Sequence, residues 1–357
     1  MTYTHILASR LARLRAAAFT VITALTSAAC ADSSAPLATD EGVADQPAMS
    51  NIGTGCSSSY TRLVPVSTAS QLTNATYYAR PGDRIQLASG TYRGHWNLKT
   101  SGSATARIML CGPRSAVLDG GGTSAAPITL AVRASNWTVQ GFTIRNAFQG
   151  VFLIGAHGVI IKGLEISYMG QEAIHLHTFS THNVIDSNYI HDTGKAGLRY
   201  GEGIYVGNAS SKWCTYYNCQ PDRTDYNQVT RNIIGPNIGA QMVDVKEGTT
   251  GTIISGNTFN GTGGSAYQDA WVNVYGNSSV MSGNRGTTAR QHGIKVETLV
   301  SGWGKYNVFH SNSWNLTGAP GYGFRIGGGT PASTVDLGCD NTVTNADSGF
   351  ATVPCSR

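Results

Sequence analysis

Short runs of alternating hydrophobic and polar residues recur along the chain, at spacings that lie mostly in the twenties of residues. Copies of a first phrase, which begins as Val139-Gln140-Gly141-Phe142-Thr143-Ile144, occupy residues 139–144, 161–166, 185–190, 229–234, 254–259, 280–284 and 308–314. From the third copy onward the same place is taken by Asn188, Asn232, Asn257, Asn284 and Asn312. Because each amide can bond to the amide of the next coil, this column predicts stacked coils.

A second phrase lies between these copies and alternates with a period of two. Its copies are residues 150–153, 173–176, 203–206, 242–246, 271–275, 293–297 and 323–326. Two strands per coil, stacked in line and without intervening helices, are typical of a parallel β-solenoid. Crossover chirality makes the right-handed form the default. We therefore predict an all-β fold, a single-stranded right-handed parallel β-helix, with a short N-terminal capping helix at residues 68–79 that leads into the first strand.

Alternation within the second phrase directs Val243, Val245, Val272 and Val274 inward and their neighbours outward. We call this outward side the cleft face. Its first predicted column is Phe152, His175, Tyr205, Asp244, Asn273, Lys295 and Arg325, and its second contains His177, Lys246, Tyr275 and Glu297. Residues in the turns before these strands are expected to form a wall: Arg199, Tyr200, Glu202, Tyr267, Asp269, Arg290 and His292. A polar face this rich in His, Tyr, Lys and Arg suits the binding of sugars and their carboxylates.

The N-terminus has the layout of a secretory signal. Residues 1–29 place three arginines before the apolar run 16–25 and end in small residues, and the apolar run is too short to span a membrane. Residues 30–55 are rich in Ser, Ala, Pro and Asp and are predicted to be a disordered tether. The β-helix domain is predicted at 56–357. The expected location is secreted or extracytoplasmic.

The sequence contains seven cysteines, and their positions also fit an exported protein. Cys30 directly follows the small residues, so a lipid on Cys30, as in a bacterial lipoprotein, is one way in which the protein would be anchored. The other six form an even set that favours disulfides in an exported chain. Cys214–Cys219 and Cys339–Cys355 look local, and the sequence does not fix the complete connectivity.

Charge and motifs narrow the function classes. The net charge of +5 falls to about +2 once the signal with its three arginines and no acidic residue is removed, so global charge does not indicate a polyanion partner. Phosphate-binding glycine motifs, zinc spacings and a G-x-S-x-G elbow are absent from the sequence. We expect an acidic polysaccharide as partner, no nucleic acid, no membrane contact apart from a lipid on Cys30, and a monomer.

The cleft face offers the groups that β-elimination of a uronic-acid polymer needs. The reaction requires a base for the C5 proton, an acid for the leaving oxygen, and charge stabilisation at the carboxylate. Lys246 is the candidate base, provided that its pKa is lowered, and Tyr275 is the candidate proton donor. Lys246 could instead form a structural ion pair with Asp244 or Glu297. The candidate substrate-binding residues are His175, His177, Tyr205, Asp244, Asn273, Lys295, Glu297, Arg325, Arg199, Arg290 and His292.

Two segments resemble known proteins. Residues 81–92, which read P-G-D-x-I-x-L-x-x-G-x-Y, resemble the opening coil of the pectate-lyase-like superfamily of right-handed β-helices. Residues 241–249 are similar to the chondroitinase-B and alginate-lyase branch, where a strand that ends in Val-Lys carries the catalytic lysine; the resemblance implies this role for Lys246. That branch has an arginine on the next coil, where this chain has Tyr275.

The same resemblance raises the question of a metal. Some members of that branch place a calcium-coordinating carboxylate five residues before the lysine, where this chain has Gln241. No cofactor is therefore certain. If the site binds a cation, Ca²⁺ is the expected ion and Asp244, Glu247 and Glu202 are the expected oxygen ligands.

Alternative functions stay open at this point. A non-catalytic glycan-binding surface protein would use the same face without Lys246 chemistry. A glycoside hydrolase would need paired carboxylates, and the phrases typical of pectin hydrolases are absent. A C5-epimerase shares the first half of the elimination reaction.

Overall fold

The computed structural model describes residues 56, 59–124, 127–197 and 199–356. The predicted signal, the tether and Cys30 lie outside the described residues. Three parallel sheets wind around one apolar core, so each coil contributes three strands instead of the two that the sequence predicted. The first phrase, such as residues 139–144, contains a sharp turn that divides it into two strands. Gly141 provides this turn in the first copy, with a φ of 92° that favours glycine.

The first sheet stacks eleven strands. They are β1 (Arg62–Val66), β2 (Asp83–Leu87), β5 (Ile108–Cys111), β8 (Trp137–Gln140), β11 (Ile160–Lys162), β14 (Val184–Asp186), β17 (Gln228–Thr230), β20 (Ile253–Ser255), β23 (Val280–Ser282), β26 (Asn307–His310) and β29 (Val335–Leu337).

The second sheet stacks ten strands directly after the turn. They are β3 (Gly90–Arg93), β6 (Ala116–Asp119), β9 (Thr143–Ala147), β12 (Glu165–Met169), β15 (Tyr189–His191), β18 (Ile233–Ile234), β21 (Thr258–Asn260), β24 (Arg285–Thr287), β27 (Ser313–Ala319) and β30 (Thr342–Ala346).

The third sheet contains the strands of the second phrase and carries the cleft face on its outer side. Its ten strands are β4 (Trp96–Leu98), β7 (Ile128–Val132), β10 (Gln149–Ile154), β13 (Ile174–His177), β16 (Ile204–Val206), β19 (Val243–Val245), β22 (Ala270–Val274), β25 (His292–Glu297), β28 (Tyr322–Gly327) and β31 (Gly349–Ala351).

Helices are few and short. α1 (Ala69–Tyr77) begins after Thr68, whose side chain accepts a hydrogen bond from the Gln71 backbone N–H. This helix confirms the predicted cap, but β1 precedes it and pairs with β2, so the first strand lies before the helix. α2 (Trp213–Tyr216) follows a 3₁₀-helix at Ser210–Lys212, and a second 3₁₀-helix spans Ala332–Thr334. Within the described part of the chain, every helix falls short of the length and hydrophobicity that a membrane crossing requires.

The predicted asparagine column forms a continuous buried ladder. Each side-chain amide donates to the carbonyl oxygen of the next, at 2.9 Å from Asn188 to Asn232 and 2.8 Å from Asn284 to Asn312. The ladder extends one coil beyond the prediction, to Asn341. Since each amide also bonds to backbone atoms of a neighbouring coil, the column fixes the stacking register of the solenoid.

Three disulfides join the described cysteines. Cys214–Cys219 and Cys339–Cys355 confirm the two local pairs, and Cys56–Cys111 ties the start of the described chain to β5. The long-range pair closes the largest of the three loops, at a sequence separation of 55 residues. It therefore anchors the N-terminal end of the solenoid.

Candidate active site

Strand pairing in the third sheet confirms the first predicted column without a register shift. Phe152, His175, Tyr205, Asp244, Asn273, Lys295 and Arg325 are successive partners across seven strands. His177 and Glu297 lie two residues further on their strands, and Lys246 and Tyr275 directly follow β19 and β22 in the same phase. Adjacent coils lie about 4.8 Å apart, so both columns converge on one small area of the cleft face.

Much of the cleft face is buried, although the sequence predicted it to be open to solvent. Asp244 and Asn273 are 2% and 3% exposed, and His175 and Tyr275 are both 6% exposed. Side chains from the wall and from neighbouring coils cover them. These residues therefore form the floor of a cleft, where charges and hydrogen bonds act more strongly than on an open surface.

Lys246 stands at the centre of this floor. Its Nζ lies 2.8 Å from Asp244 Oδ2. The same nitrogen lies 4.9 Å from the ring centroid of Tyr275 and 5.2 Å from that of Tyr205. The ammonium group is thus held between two phenols and above a buried carboxylate.

The pKa of Lys246 is raised, whereas the sequence-based hypothesis required it to be lowered. Burial alone would lower it, but the carboxylate of Asp244 outweighs burial, with smaller contributions from Glu247 and Glu202. Of the two ion pairs considered from the sequence, the one with Asp244 is formed. In the unliganded protein Lys246 is therefore an ammonium ion at neutral pH.

Both tyrosines beside Lys246 keep their protons. Burial raises the pKa of Tyr275, and the nearby carboxylates of Asp244 and Asp269 raise it further. Its hydroxyl oxygen accepts a hydrogen bond of 2.9 Å from Asn273 Nδ2, which orients the phenol. Burial and Asp244 also raise the pKa of Tyr205. From the sequence, Tyr205 was predicted only to bind substrate, because its proximity to Lys246 depends on side-chain directions that cross a coil.

The other two cations of the predicted columns, Lys295 and Arg325, are already paired. Lys295 Nζ lies 2.6 Å from Asp269 and 3.1 Å from Glu297, and Arg325 lies 2.8 Å from Glu297. Lys295 and Arg325 were expected to hold substrate carboxylates. Because Asp269 and Glu297 neutralise them, they do not present free positive charge to a polyanion.

Three histidines of the site are neutral rings. His175 Nε2 bonds to the Gly207 carbonyl at 3.0 Å, and burial holds the pKa of His175 well below its usual value. Burial lowers the pKa of His177 to about 4. The pKa of His292 also falls to about 4 through burial and the charge of Arg325, and its Nδ1 accepts the Tyr322 backbone N–H. His292 therefore supports the wall.

Several buried acceptor atoms on the floor have no hydrogen-bond partner among the described residues. They are His175 Nδ1, Asp244 Oδ1, Glu247 Oε2 and Asn273 Oδ1. Unsatisfied buried acceptors are rare in native proteins and require an explanation. Their clustering around Lys246 fits a ligand that supplies hydroxyl donors, as a sugar does.

The expected metal ligands are neighbours, but they are not arranged to share an ion. Among the described residues, no group of three or more His, Cys, Asp or Glu side chains is arranged to hold a metal ion. Asp244 Oδ2 is engaged by Lys246, Glu247 Oε1 by the Ser210 backbone N–H, and Glu202 Oε2 by that of Gly201. Gln241 donates its amide to Asp269, so it does not replace a missing carboxylate. Each of the three candidate calcium ligands therefore has one carboxylate oxygen engaged by a different partner in this structure.

The insertion around α2 lies beside the histidines. A cavity of about 370 Å³ is lined by His175 and His177 on one side and by Lys212, Tyr216 and Tyr217 on the other. Trp213 and Tyr217 are both buried, and their hydrogen bonds to the Asn208 carbonyl and the Thr178 hydroxyl hold this segment in place. Tyr216 is 65% exposed, so it is the aromatic ring available to a ligand.

The other predicted wall residues divide into exposed and buried members. Arg199 and Arg290 are exposed, and neither forms an ion pair with any described residue. Tyr200 and Tyr267 are likewise exposed. Glu202 is buried near Glu172, a carboxylate that the sequence did not single out because it lies in an ordinary-looking turn.

Glu202 makes the stability of the protein depend on pH. Burial and the charges of Glu172 and Asp244 raise its pKa from 4.5 to about 8. Between these values the folded state binds more protons than the unfolded state, so this residue stabilises the fold at low pH and loses that contribution as pH rises. The wild type should therefore lose unfolding free energy from pH 5 to pH 9, and Glu202→Gln should not. Relative to the wild type, the free energy of unfolding of Glu202→Gln should increase by a few kcal/mol over this range, at about 1.4 kcal/mol per pKa unit. Urea unfolding at both pH values measures the difference.

Glu165→Gln is the matched control, since the interaction with His191, whose Nε2 lies 3.7 Å from Glu165 Oε1, lowers the pKa of Glu165. This variant should be less stable than the wild type near neutral pH, and the gap should close as pH falls below about 4.5. Equal pH dependence in both variants would contradict the assignment of a raised pKa to Glu202.

Comparisons with known proteins agree with the β-helix fold. The family described as "Right handed beta helix region" matches residues 129–270. The alginate lyase from Paenibacillus sp. str. FPU-7 is 33% identical, with 81% of this chain and 97% of that chain covered and a TM-score of 0.75. No curated protein matched in a sequence search.

More distant structures share the fold. Pectate lyase Pel9A is 15% identical over 87% of this chain and 84% of its own, with a TM-score of 0.56. A rhamnogalacturonan lyase is 13% identical over 70% of each chain, with a TM-score of 0.55. With the fold, the strand register and the 33% identity to the Paenibacillus enzyme in agreement, the chain belongs to the right-handed parallel β-helix polysaccharide lyases.

Proposed function

We propose that this protein cleaves a uronic-acid polysaccharide by β-elimination and that its substrate is alginate. The observation that carries the proposal is Lys246, held between two phenols and above a buried carboxylate on the floor of the cleft. The similar Paenibacillus protein is an alginate lyase, which supports the choice of polymer. We further propose an extracytoplasmic location, since three disulfides persist best in oxidising compartments.

Two protons move in this reaction: Lys246 accepts one, and Tyr275 donates the other. Lys246 Nζ, in its uncharged form, removes the proton from C5 of the uronate. The electron pair of that bond forms the C4–C5 double bond, and the C4–O bond breaks. Tyr275 then donates its phenolic proton to the leaving oxygen. The hydrogen bond from Asn273 to the oxygen of Tyr275 leaves the phenolic hydrogen free to point elsewhere.

The raised pKa of Lys246 sets a condition on this mechanism. Only a small fraction of the amine is uncharged at neutral pH, because Asp244 stabilises the ammonium form. The rate should therefore rise with pH as the base form is populated. Acceptor atoms of the floor, including Asn273 Oδ1 and His175 Nδ1, would receive hydrogen bonds from sugar hydroxyls.

A polymer panel tests the proposal. Purified protein would be incubated with alginate, polygalacturonate, glucuronan and chondroitin or dermatan sulfate, each with calcium and with chelator. Ultraviolet absorbance follows the new double bond, which is conjugated with the carboxylate. An absorbance rise with alginate supports the proposal. A rise with a different polymer instead would overturn the choice of substrate.

The ion pair between Lys246 and Asp244 favours a second candidate, a glycan-binding protein without activity. In such a protein Lys246 would remain charged and would orient the floor. The same panel separates the two, because binding to alginate in a gel without any absorbance change would support the binding protein.

A further inference from the structure

The two outward columns continue beyond the candidate active site toward the N-terminal end of the third sheet. Asn97, Ala131 and Phe152 are successive partners, so the first column extends over β10, β7 and β4. The second column extends in the same register through Ile154 to Arg133 and Lys99, which directly follow β7 and β4. Lys99 therefore lies in the same column as Lys246, five coils away, or about 24 Å at about 4.8 Å per coil.

Charge is distributed unevenly along this face. The cations Lys246, Lys295 and Arg325 are each paired with a carboxylate, as described above. Lys99 and Arg133 are both exposed, and neither forms an ion pair with a described residue. They stand on adjacent coils, joined by the hydrogen bond from the Arg133 backbone N–H to the Leu98 carbonyl. Uncompensated positive charge on the face is thus present at this distant end.

Aromatic surface accompanies this charge. Lys99 lines a cavity of about 270 Å³ together with Tyr77, His95, Trp96 and Asn97. Tyr77 and Tyr78 are 73% and 67% exposed, which is unusual for large aromatic side chains. Tyrosine combines an apolar ring that can pack against a sugar with a hydroxyl that can bond to it. Between this cavity and the histidines the floor is apolar, formed by Ala131, Phe152 and Ile154.

We propose that the N-terminal end of the cleft face, comprising Lys99, Arg133 and the cavity beside Tyr77, is an accessory site that binds a distal segment of the same acidic polysaccharide chain. Lys99 and Arg133 pair with uronate carboxylates, and Tyr77 packs against a sugar ring. The site lets the protein hold long chains more tightly than short ones. This inference rests on the proposed function for the identity of the polymer.

The double variant Lys99→Ala/Arg133→Ala tests the site. The KM for polymeric alginate should rise about five- to tenfold, as expected for two exposed charge contacts, while kcat is retained. For alginate trimers, too short to reach from Lys246 to Arg133 or Lys99, KM should not change. The effect on the polymer should shrink in concentrated salt, which screens exposed charges.

The control is Lys162→Ala/Arg285→Ala, which removes the same two charges from the other two sheets. This control should retain the wild-type KM for both substrates. A KM that rises equally for polymer and oligomers, or that does not rise at all in the Lys99 and Arg133 variant, would overturn the accessory site.

Binding is measured in parallel by electrophoresis in gels that contain alginate, which needs no turnover. Binding that depends on Lys99 and Arg133, without any elimination product, would contradict the lyase proposal and support the accessory site. If the wild type forms elimination product but its binding does not depend on Lys99 and Arg133, the lyase proposal is supported and the accessory site is contradicted. Absence of binding to alginate in the wild type would overturn the accessory site.

Discussion

Replacing Lys246 with alanine is expected to lower kcat/KM on alginate by about a thousandfold or more. The variant removes the proposed base and the only cation that lies between the two phenols among the described residues. General base catalysis and charge stabilisation are each worth roughly 10²–10³-fold or more. Initial rates of the absorbance increase measure the loss. A variant within tenfold of the wild type would contradict a catalytic role.

Lys246→Arg separates the two roles that a lysine can play here. Arginine keeps the positive charge beside Asp244, and therefore protects the fold against a lone buried carboxylate, but it does not lose its proton. If Lys246 acts as the base, the arginine variant should be as inactive as the alanine variant. Substantial activity in Lys246→Arg would show that the ammonium charge, and not proton removal, is what the reaction requires.

Replacing Tyr275 with phenylalanine is expected to lower kcat about a hundredfold or more, with a small change in KM. The substitution removes the proton that we assign to the leaving oxygen and leaves the ring beside Lys246 in place. Steady-state rates on alginate at several concentrations separate kcat from KM.

Tyr205→Phe is the matched comparison, because Tyr205 places its ring at nearly the same distance from Lys246. Its loss of kcat should be clearly smaller. A large loss in Tyr205→Phe together with near-normal Tyr275→Phe would reassign the proton donor to Tyr205.

The stacking register could be predicted from the sequence because side-chain alternation and repeat spacing leave few alternatives. Each strand of the third sheet carries inward Val, Ile or Phe, and a shift by one residue would bury its charged residues in the core. The column from Phe152 to Arg325 is correct for this reason. The third strand of each coil was not predicted, because only a two-residue turn separates it from the strand before it within one continuous phrase. Gly141 begins such a turn between β8 and β9.

Ionisation within the cleft could not be predicted in the same way. The sequence places Asp244 and Lys246 on one side of a strand, but whether burial or the ion pair dominates the pKa of Lys246 depends on side-chain conformations. The accessory site was also missed, since β4 and β7 lie before the clearest copies of the second phrase. Only the strand pairing brings Lys99 and Arg133 into the column of Lys246.

In the proposed mechanism, Lys246 removes the C5 proton from within its ion pair with Asp244. The decisive measurement is the pH dependence of kcat/KM on alginate, compared between wild type and Asp244→Asn. Asp244 raises the pKa of Lys246, so the wild-type rate should increase from neutral into alkaline pH. In Asp244→Asn, where burial then dominates, this increase should occur at lower pH. A wild-type rate that is already maximal at neutral pH, or an increase at the same pH in both proteins, would contradict Lys246 as the base.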